Sequence, residues 1–379
     1  MSIHGLRNRA YKGAALVVLG AGLVAASGCG DSDSGGGSAA QGGGAGVTEA
    51  QTLAEKATTR PTSVGLEAAI GKDVPAGKKV AFISCGVEAC EIQGDIIKQG
   101  AADLGWSAST IGTDGSPEQL QNAFETALRQ GADAVILNAV NRASVAKQIE
   151  KAEQQGVAFV TCCSIENEGD GILRNVGGKE NSAKIGENLA AKIVADSDGK
   201  ANTLFVNISA FQILQSLAGQ LESSYKQFCP DCEYGTLDIP VTSLGKDAPD
   251  RIVSYLRSHP QVNYVVLSVS NALGAGLPAA LKAAGLADKV KIVGQSADTQ
   301  TFQDLQANNI TSVVPFDYYS VDYLMLDALA RHFAGVPVEQ ANPPMWIVTA
   351  DNMPAQATEG LFPVVESYRD EFKQLWGKG

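Results

Sequence analysis

The chain has 379 residues, of which 45% are hydrophobic, and it carries a formal net charge of −12 at pH 7. The length is enough for two lobes with separate cores, whereas the acidic balance disfavours nucleic acid, whose phosphates are bound by Lys and Arg. The sequence holds only three histidines, so a histidine-based hydrolase and a zinc site, which needs about four ligands, are not expected. We expect no metal and no cofactor.

The first predicted element is an export signal. Basic residues at positions 7, 9 and 12 precede an apolar run over 13–26 that is too short to span a bilayer as a helix. Small residues at 26–28 lead into Cys29, a pattern that resembles the lipobox at which bacterial lipoproteins are cut and lipidated. We therefore expect residues 1–28 to form a lipoprotein signal peptide and Cys29 to carry lipid. The alternative is an ordinary signal peptide with an incidental cysteine.

A flexible tether is predicted after the lipid site, over residues 29–46. Its sequence "GDSDSGGGSAAQGGGAG" has almost no apolar surface to bury. Residues 47–77 have the pattern of a leading helix and a linker. No later segment is apolar for long enough to cross a bilayer. The body is therefore expected outside the cytoplasm, anchored by lipid to the outer face of the cell membrane.

Two successive sets of alternating strands and helices make up the body. Strands that alternate with helices of about 10–15 residues predict parallel sheets covered on both faces. The fold class is therefore α/β, with two doubly wound parallel-sheet lobes and a ligand cleft beyond the carboxyl ends of the strands. The first set has strands at 79–84, 107–114, 133–140 and 157–163, with helices at 95–106, 116–131 and 143–156. The second set has strands at 203–208, 234–239, 262–269 and 289–295, with helices near 211–228, 248–258 and 273–285.

Six cysteines follow Cys29, and an even number outside the cytoplasm indicates disulfide bonds. They are Cys85, Cys90, Cys162, Cys163, Cys229 and Cys232. Their close spacing favours three local pairs. The Cys229–Cys232 pair follows a helical run rather than opening one, which favours a structural disulfide over a thioredoxin-like redox motif.

Five stretches in this order resemble type I periplasmic binding proteins of the ribose- and galactose-binding group, which serve ABC importers. They are "KKVAFIS…GAADLGW", "GADAVILNAVN", "VNYVVLSVSNALGAGLPAALKAAG", "VKIVGQSAD" and "PMWIVTADN". The resemblance implies a three-segment hinge with chain crossings near Gly178, Pro315 and Val348. The N-lobe would contain residues 78–178 and 316–347, and the C-lobe residues 179–315 and 348–379.

The resemblance also implies the ligand-binding positions, one by one. The loop after the first strand supplies Ser84, Cys85, Gly86, Val87 and Glu88. Later strand and helix ends supply Asn138, Asn141, Cys162, Cys163, Phe211, Gln212, Gln215, Ser270, Asn271, Ser296 and Asp298. The aromatic residues Phe316 and Tyr318 follow the second crossing. No catalytic residue is expected.

Cys162 and Cys163 occupy positions where sugar-binding relatives have an Asp-Arg pair that grips ring hydroxyls. Pro315 replaces a common glutamine, and Phe211 opens a helix where relatives place an arginine. These differences imply a neutral, less hydroxyl-rich ligand, or a sugar bound in a different manner. For the two cysteines we favour a bond between neighbours, which needs a distorted strand end because adjacent Cα atoms lie about 3.8 Å apart. Bridges to Cys85 or Cys90, or two reduced thiols, are the alternatives.

The leading hypothesis is a monomeric solute-binding lipoprotein that closes on a small neutral solute and delivers it to an ABC permease. It would not be an enzyme. A secreted thiol-disulfide oxidoreductase and a ligand-sensing domain for a membrane receptor are the alternative hypotheses.

Overall fold

The computed structural model describes residues 41–84, 88–139 and 141–379. The predicted signal peptide, Cys29 and most of the tether lie outside these ranges, as do Cys85, Gly86 and Val87. In the described residues the helices are α1 (Gln41–Thr58), α2 (Glu88–Asp103), α3 (Pro117–Arg129), α4 (Arg142–Gln154), α5 (Lys179–Ser197), α6 (Ile213–Phe228), α7 (Ala248–Ser258), α8 (Ser270–Leu273), α9 (Leu277–Ala283), α10 (Thr299–Gln306), α11 (Tyr318–Ala334) and α12 (Tyr368–Leu375). The strands are β1 (Lys79–Ile83), β2 (Ser107–Ile111), β3 (Ala134–Leu137), β4 (Ala158–Cys162), β5 (Arg174–Val176), β6 (Asn202–Asn207), β7 (Glu233–Asp238), β8 (Tyr264–Leu267), β9 (Lys291–Gln295) and β10 (Ser312–Val314).

The strands form two five-stranded sheets of the same topology. The first sheet has the order β2-β1-β3-β4-β5 and the second the order β10-β9-β8-β6-β7. Every pairing within them is parallel. Parallel strands need crossover connections, and here helices provide them on both faces of each sheet. The predicted fold class, two doubly wound parallel-sheet lobes, is confirmed.

Each sheet is buried on both faces by apolar side chains. In the first sheet Phe82 and Ile136 face the cluster shared with α2 and α11, whereas Ile83 and Val135 face α3 and α4. The second sheet is covered in the same way. Helices α5 and α6 pack closely because Gly186 has no side chain, since a Cβ there would collide with the carbonyl oxygen of Leu217.

The described chain passes between the two lobes five times rather than three. We define the first lobe as residues 64–176, 316–341 and 365–379, and the second lobe as residues 41–57, 179–314 and 346–364, from the cores in which their buried side chains pack. By this division, two of the crossings lie at 177–178 and at Pro315. The third lies at 342–345, and two further crossings lie at 58–63 and at the Val364–Val365 junction.

Three predicted boundaries are therefore wrong. Helix α1 begins at Gln41, inside the segment 29–46 that we assigned to the tether. Residues 346–347 pack in the second lobe, although we placed 316–347 in the N-lobe. Conversely, the segment 365–379 packs its Phe372 and Trp376 in the first lobe, although we placed 348–379 in the C-lobe. None of the helices in the described ranges is long and apolar enough to span a membrane.

Arg60 connects the crossing at 58–63 to the crossing at the Val364–Val365 junction through hydrogen bonds. The guanidinium of Arg60 donates to the carbonyl oxygens of Val364 (2.9 Å) and Pro363 (3.0 Å) and pairs with Glu366. It also lies 5.1 Å from the ring centroid of Trp346. The leading crossing and the C-terminal crossing therefore form one hydrogen-bonded strap across the hinge.

Candidate functional site

The topology places both switch points of the strand order on the cleft between the lobes. In doubly wound sheets, ligands bind beyond the carboxyl ends of the strands, where the strand order reverses. In the first lobe this point lies between β1 and β3, which are followed by Ser84 and Asn138. In the second lobe it lies between β6 and β8, which are followed by Ile208 and Ser268.

A pocket of about 190 Å³ is lined by residues of both lobes. Its lining contains four of the predicted site residues, Asn141 and Cys163 from the first lobe and Phe211 and Gln212 from the second. Among the described residues that line it, none has an ionisable side chain, since Cys163 is disulfide-bonded. These lining residues are Ala139, Asn141, Cys163, Ser164, Ile165, Ala210, Phe211, Gln212 and Ile213.

Asn138 is the most conspicuous polar group at the first switch point. It is 5% exposed, yet neither its Oδ1 nor its Nδ2 has a hydrogen-bond partner. Leaving a buried amide unpaired costs about 1–3 kcal/mol for each unsatisfied group. Such a group is explained if a ligand supplies the missing donor and acceptor.

Three strand ends that border the cleft adopt a backbone conformation that residues other than glycine rarely take. Ala139, Cys163 and Ser296 have φ values of 52°, 60° and 61°. The remaining positive-φ residues other than glycine in the described chain are Asp170, Asp198 and Asn308, residue types that tolerate this region better. Unusual backbone conformations concentrate at ligand sites, and these three lie after β3, β4 and β9.

Cys162 and Cys163 are joined by a disulfide bond. Cys162 is buried in the first-lobe core, whereas Cys163 is half-buried and faces the pocket. Ala139 N–H donates to Cys162 O (2.9 Å) and Cys163 N–H donates to Val176 O (2.9 Å). The bonded pair therefore lies between the end of β3 and the first crossing.

Cys229 and Cys232 form a second disulfide, with Cα atoms 5.3 Å apart. Cys229 directly follows the last residue of α6, at the negative end of the helix dipole. A thiolate is disfavoured there, whereas redox-active motifs place it at a helix N-terminus. Cys90 is also disulfide-bonded.

Several predicted ligand positions already have a structural use. Asn141 Oδ1 caps α4 by accepting from Ala143 N–H (3.0 Å), and Asp298 Oδ1 caps α10 by accepting from Thr301 N–H (2.8 Å). The hydroxyl of Ser270 lies directly over Gly294, where any side chain would collide with it. These contacts leave Asn141 Nδ2 and Asp298 Oδ2 available for a solute.

The other predicted residues surround the cleft without lining this pocket. Asn271 is exposed, and its N–H donates to Ser296 O (3.0 Å), which joins the ends of β8 and β9. Gln215 is exposed on α6. Phe316 and Tyr318 make an edge-on contact with ring centroids 4.7 Å apart at the second crossing. Glu88 begins α2.

Sequence reasoning missed polar groups on the second lobe. Asn207 Oδ1 and Ser268 Oγ are buried without a partner at the ends of β6 and β8. A polar residue at the end of an apolar strand was the available signal. In the first lobe such a residue, Asn138, was recognised.

A buried carboxyl group on α11, that of Asp322, was also missed. Burial raises the pKa of Asp322 well above its usual value, although Gln93 donates a hydrogen bond to it (3.0 Å). Burial, followed by the carboxylates of Asp322 and Asp298, raises the pKa of Tyr318 to about 12. Tyr318 therefore lies within electrostatic reach of one carboxyl from each lobe.

Asp317, beside the second crossing, predicts a pH dependence of stability. Burial raises its pKa to about 6, against hydrogen bonds from Ser320, Val364 and Tyr319. The folded state then binds more protons than the unfolded state, so this group lowers stability as pH rises from about 4 to 6 and beyond, by roughly 3 kcal/mol in total. Asp317→Asn should therefore melt higher than the wild type at pH 7, with the difference shrinking towards pH 4.

Melting curves of both proteins across this pH range measure the effect. Asp114→Asn is a control of opposite sign, because hydrogen bonds from Ser116 lower the pKa of that exposed carboxyl. A constant difference between Asp317→Asn and the wild type would contradict the prediction.

A more polar pocket, of about 270 Å³, lies beside the first crossing. Several of its charged groups are hydrogen-bonded to other protein groups. Arg174 donates to Glu168 (2.5 Å) and to Ala341 O (2.6 Å), and Lys179 donates to Asn167 (2.9 Å). These bonds join β5 to the third crossing, so we interpret this pocket as part of the hinge.

Two doubly wound lobes with a pocket between their strand ends define a two-lobed binding protein. The periplasmic binding protein domain matches residues 90–336, and the chain belongs to this family. The predicted resemblance is confirmed. No curated protein has a sequence that matches the chain.

Solved structures of similar fold are sugar-related binding proteins. GanP, a glucose-galactose binding protein from Geobacillus stearothermophilus, is 18% identical with a TM-score of 0.63, covering 74% of this chain and 100% of that one. A 5-methylthioribose transporter solute binding protein from Thermotoga lettingae is 18% identical with a TM-score of 0.63, covering 79% and 99%. A periplasmic ribose ABC transporter protein from Conexibacter woesei is 16% identical with a TM-score of 0.64, covering 77% and 97%. At these identities the likeness concerns the fold.

Proposed function

We propose that this protein is an extracytoplasmic solute-binding lipoprotein of an ABC importer. It captures a small neutral solute, sugar-like or less polar, between the lobes and delivers it to the permease. The observation that carries the proposal is a pocket lined by both lobes in which none of the described lining residues carries a charge. Because the solute would contact both lobes, it stabilises the closed arrangement by its better contacts there. Solved structures of similar fold are named for sugar solutes, which supports the same class.

The ligand would be held by neutral groups. Asn138 offers one donor and one acceptor at the first switch point, and Asn207 offers an acceptor at the second. Phe211, which is 47% exposed, and Cys163 present apolar surface on opposite sides of the pocket. This combination suits a molecule with one polar edge and one apolar face, such as a sugar that lacks a hydroxyl or carries an alkyl group.

A thermal-shift screen tests the proposal. The panel contains sugars, polyols, nucleosides, aromatic acids and steroid-like compounds. We expect at least one uncharged compound to raise the melting temperature, because a ligand at 100 times its Kd stabilises the folded state by about 2.7 kcal/mol. A response confined to charged compounds, or no response at all, would refute a neutral-solute pocket.

The second part of the proposal concerns the lipid anchor and the oligomeric state. The chain would act as a monomer, held to the membrane through Cys29 and the tether. Membrane fractionation checks this part. The wild type is expected in the membrane fraction and Cys29→Ser in the soluble fraction, and equal distribution of the two proteins would rule the anchor out.

Thiol-disulfide oxidoreductase activity is a separate hypothesis, and an insulin-reduction assay tests it. We expect no turnover from Cys229–Cys232, because that pair follows the C-terminus of α6.

A further inference from the structure

The two halves of the Cys162–Cys163 disulfide have different surroundings. Cys162 is 1% exposed and packs in the first-lobe core with Val160 and Val176. Cys163 is half-buried and lines the pocket that Phe211 lines from the second lobe. A molecule that enters the cleft therefore meets the bond from the Cys163 side.

The backbone of the two cysteines connects the disulfide bond to the pocket wall and to the hinge. Cys163 has φ = 60°, in the left-handed region that residues other than glycine rarely adopt. Its N–H donates to Val176 O, one residue before the crossing at 177–178, and Cys162 O accepts from Ala139 N–H. Opening the bond would remove the covalent link between Cys162 and Cys163 at this strand end. The change would reach both the pocket and the first crossing of the hinge.

The pocket itself selects the kind of molecule that reaches the bond. Its volume is about 190 Å³, and no Asp, Glu, Lys, Arg or His is among the residues that line it. A small uncharged thiol fits this space, whereas a charged thiol would have to leave water without an opposite charge to meet it. Thiol-disulfide exchange depends on access to one of the two sulfurs, and here access favours Cys163.

We propose that Cys163 is a thiol-exchange site inside the cleft, specific for small uncharged thiols. The small molecule enters as the neutral thiol and gives up its proton to water, its sulfur attacks Cys163 Sγ, and the Cys162–Cys163 bond breaks. The electron pair of that bond leaves on Cys162 Sγ, which takes up a proton from water. The product is a mixed disulfide on Cys163 and a free thiol on Cys162. A second small thiol can then attack the mixed disulfide, giving the oxidised small disulfide and two reduced cysteines.

This site goes beyond solute transport, because it makes the shape of the binding pocket depend on the thiol redox state. It does not require turnover of a protein substrate. It rests on the pocket geometry and not on the identity of the solute. Failure of the solute screen would leave it standing, and its own failure would leave solute binding standing.

The test uses the oxidised wild-type chain and 2-mercaptoethanol at fixed pH. Samples are quenched with iodoacetamide, and peptide mass spectrometry locates the adducts. We expect the adduct on Cys163, the alkylated thiol on Cys162, and a rate at least 10-fold above that of Cys229–Cys232. The anionic thiol 2-mercaptoethanesulfonate should react more slowly at Cys163.

Ala210→Trp provides the matched variant. Ala210 is exposed and lines the pocket from the second lobe, so a larger side chain there reduces the space that leads to Cys163 without replacing either cysteine. It should slow exchange at Cys163 several-fold and leave Cys229–Cys232 unchanged. An adduct on Cys162, equal rates at the two disulfides, an equal rate with the anionic thiol, or no effect of Ala210→Trp would each overturn the proposal. Isolation of the chain with both cysteines already reduced would also overturn it.

Discussion

Replacing Asn138 with leucine is expected to stabilise the ligand-free protein and to abolish its response to solute. Leucine has a similar size and removes two buried polar atoms that lack partners. The unsatisfied amide costs about 1–3 kcal/mol, which corresponds to a rise in melting temperature of roughly 2 °C or more for a chain of this size. Solute affinity should fall on the order of 100-fold, because the polar groups of the solute then meet an apolar surface.

Thermal-shift and calorimetric titrations of Asn138→Leu with a solute from the screen measure both effects. Asn263→Leu is the matched control at the opposite end of the second sheet. There the amide is fully used, since Oδ1 accepts from Asn202 N–H (2.8 Å) and Nδ2 donates to Lys200 O (3.2 Å). The control should lower the melting temperature and leave binding intact. Unchanged affinity in Asn138→Leu would remove Asn138 from the site.

Replacing Arg331 with methionine is expected to cause the largest loss of stability. Arg331 and Asp327 are both about 3% exposed and are joined by a 2.6 Å hydrogen bond on α11. Arg331 also pairs with Glu339 (2.8 Å) and donates to Ala68 O (2.6 Å). Removing one partner of a buried ion pair leaves an uncompensated charge and costs about 3–5 kcal/mol. Burial already raises the pKa of Asp327 despite the neighbouring guanidinium.

Chemical denaturation measures this loss, and a second Asp–Arg pair on the same chain calibrates it. Asp247, which directly precedes α7, and Arg251 on that helix have the same spacing but are 49% and 50% exposed. Arg251→Met should therefore cost less than about 1 kcal/mol. Adding Asp327→Asn to Arg331→Met should recover part of the loss, because the stranded charge is removed. Similar losses at the two sites would contradict this account.

The sequence predicted the sheets well, because alternation of apolar strands with helices is a local signal. Helix α7 covers 248–258, the range given by its pattern, and α3 covers 117–129, within the predicted range 116–131. The strands β5 and β10 were missed because each has three residues. A segment so short carries no periodicity, and each forms one edge of its sheet.

The errors at the two ends of the body have another cause. Whether α1 packs on the first or the second lobe depends on contacts with residues far away in sequence, such as Leu189 and Phe228. The same holds for Phe372 and Trp376, which join the core of α11. Nothing in the local pattern of either segment distinguishes the two lobes. The resemblance implied three crossings. We therefore placed residues 365–379 in the C-lobe, although they pack in the first lobe.

The sequence predicted several residues that the structure brings to the candidate site, and their role in binding stays a prediction. Cys163, Phe211 and Gln212 line the pocket and Asn138 follows β3, because strand ends and a helix start can be located from the sequence. The use of Asn141 and Asp298 as helix caps could have been anticipated, since both residue types favour that position. Asp322 and Asp327 interrupt the otherwise apolar stretch "VDYLMLDALA", which indicates buried polar contacts. The composition does not show which groups these two side chains contact.

The distribution of α1 and α12 has a practical consequence for observing the hinge. Helix α1 packs on the second lobe and α12 on the first, and Gln51 and Gln374 are exposed on them. Two fluorophores at these positions would be attached to different lobes, outside the cleft. Their energy-transfer efficiency would follow the angle between the lobes, so the chain carries the attachment points of an optical sensor for its own solute.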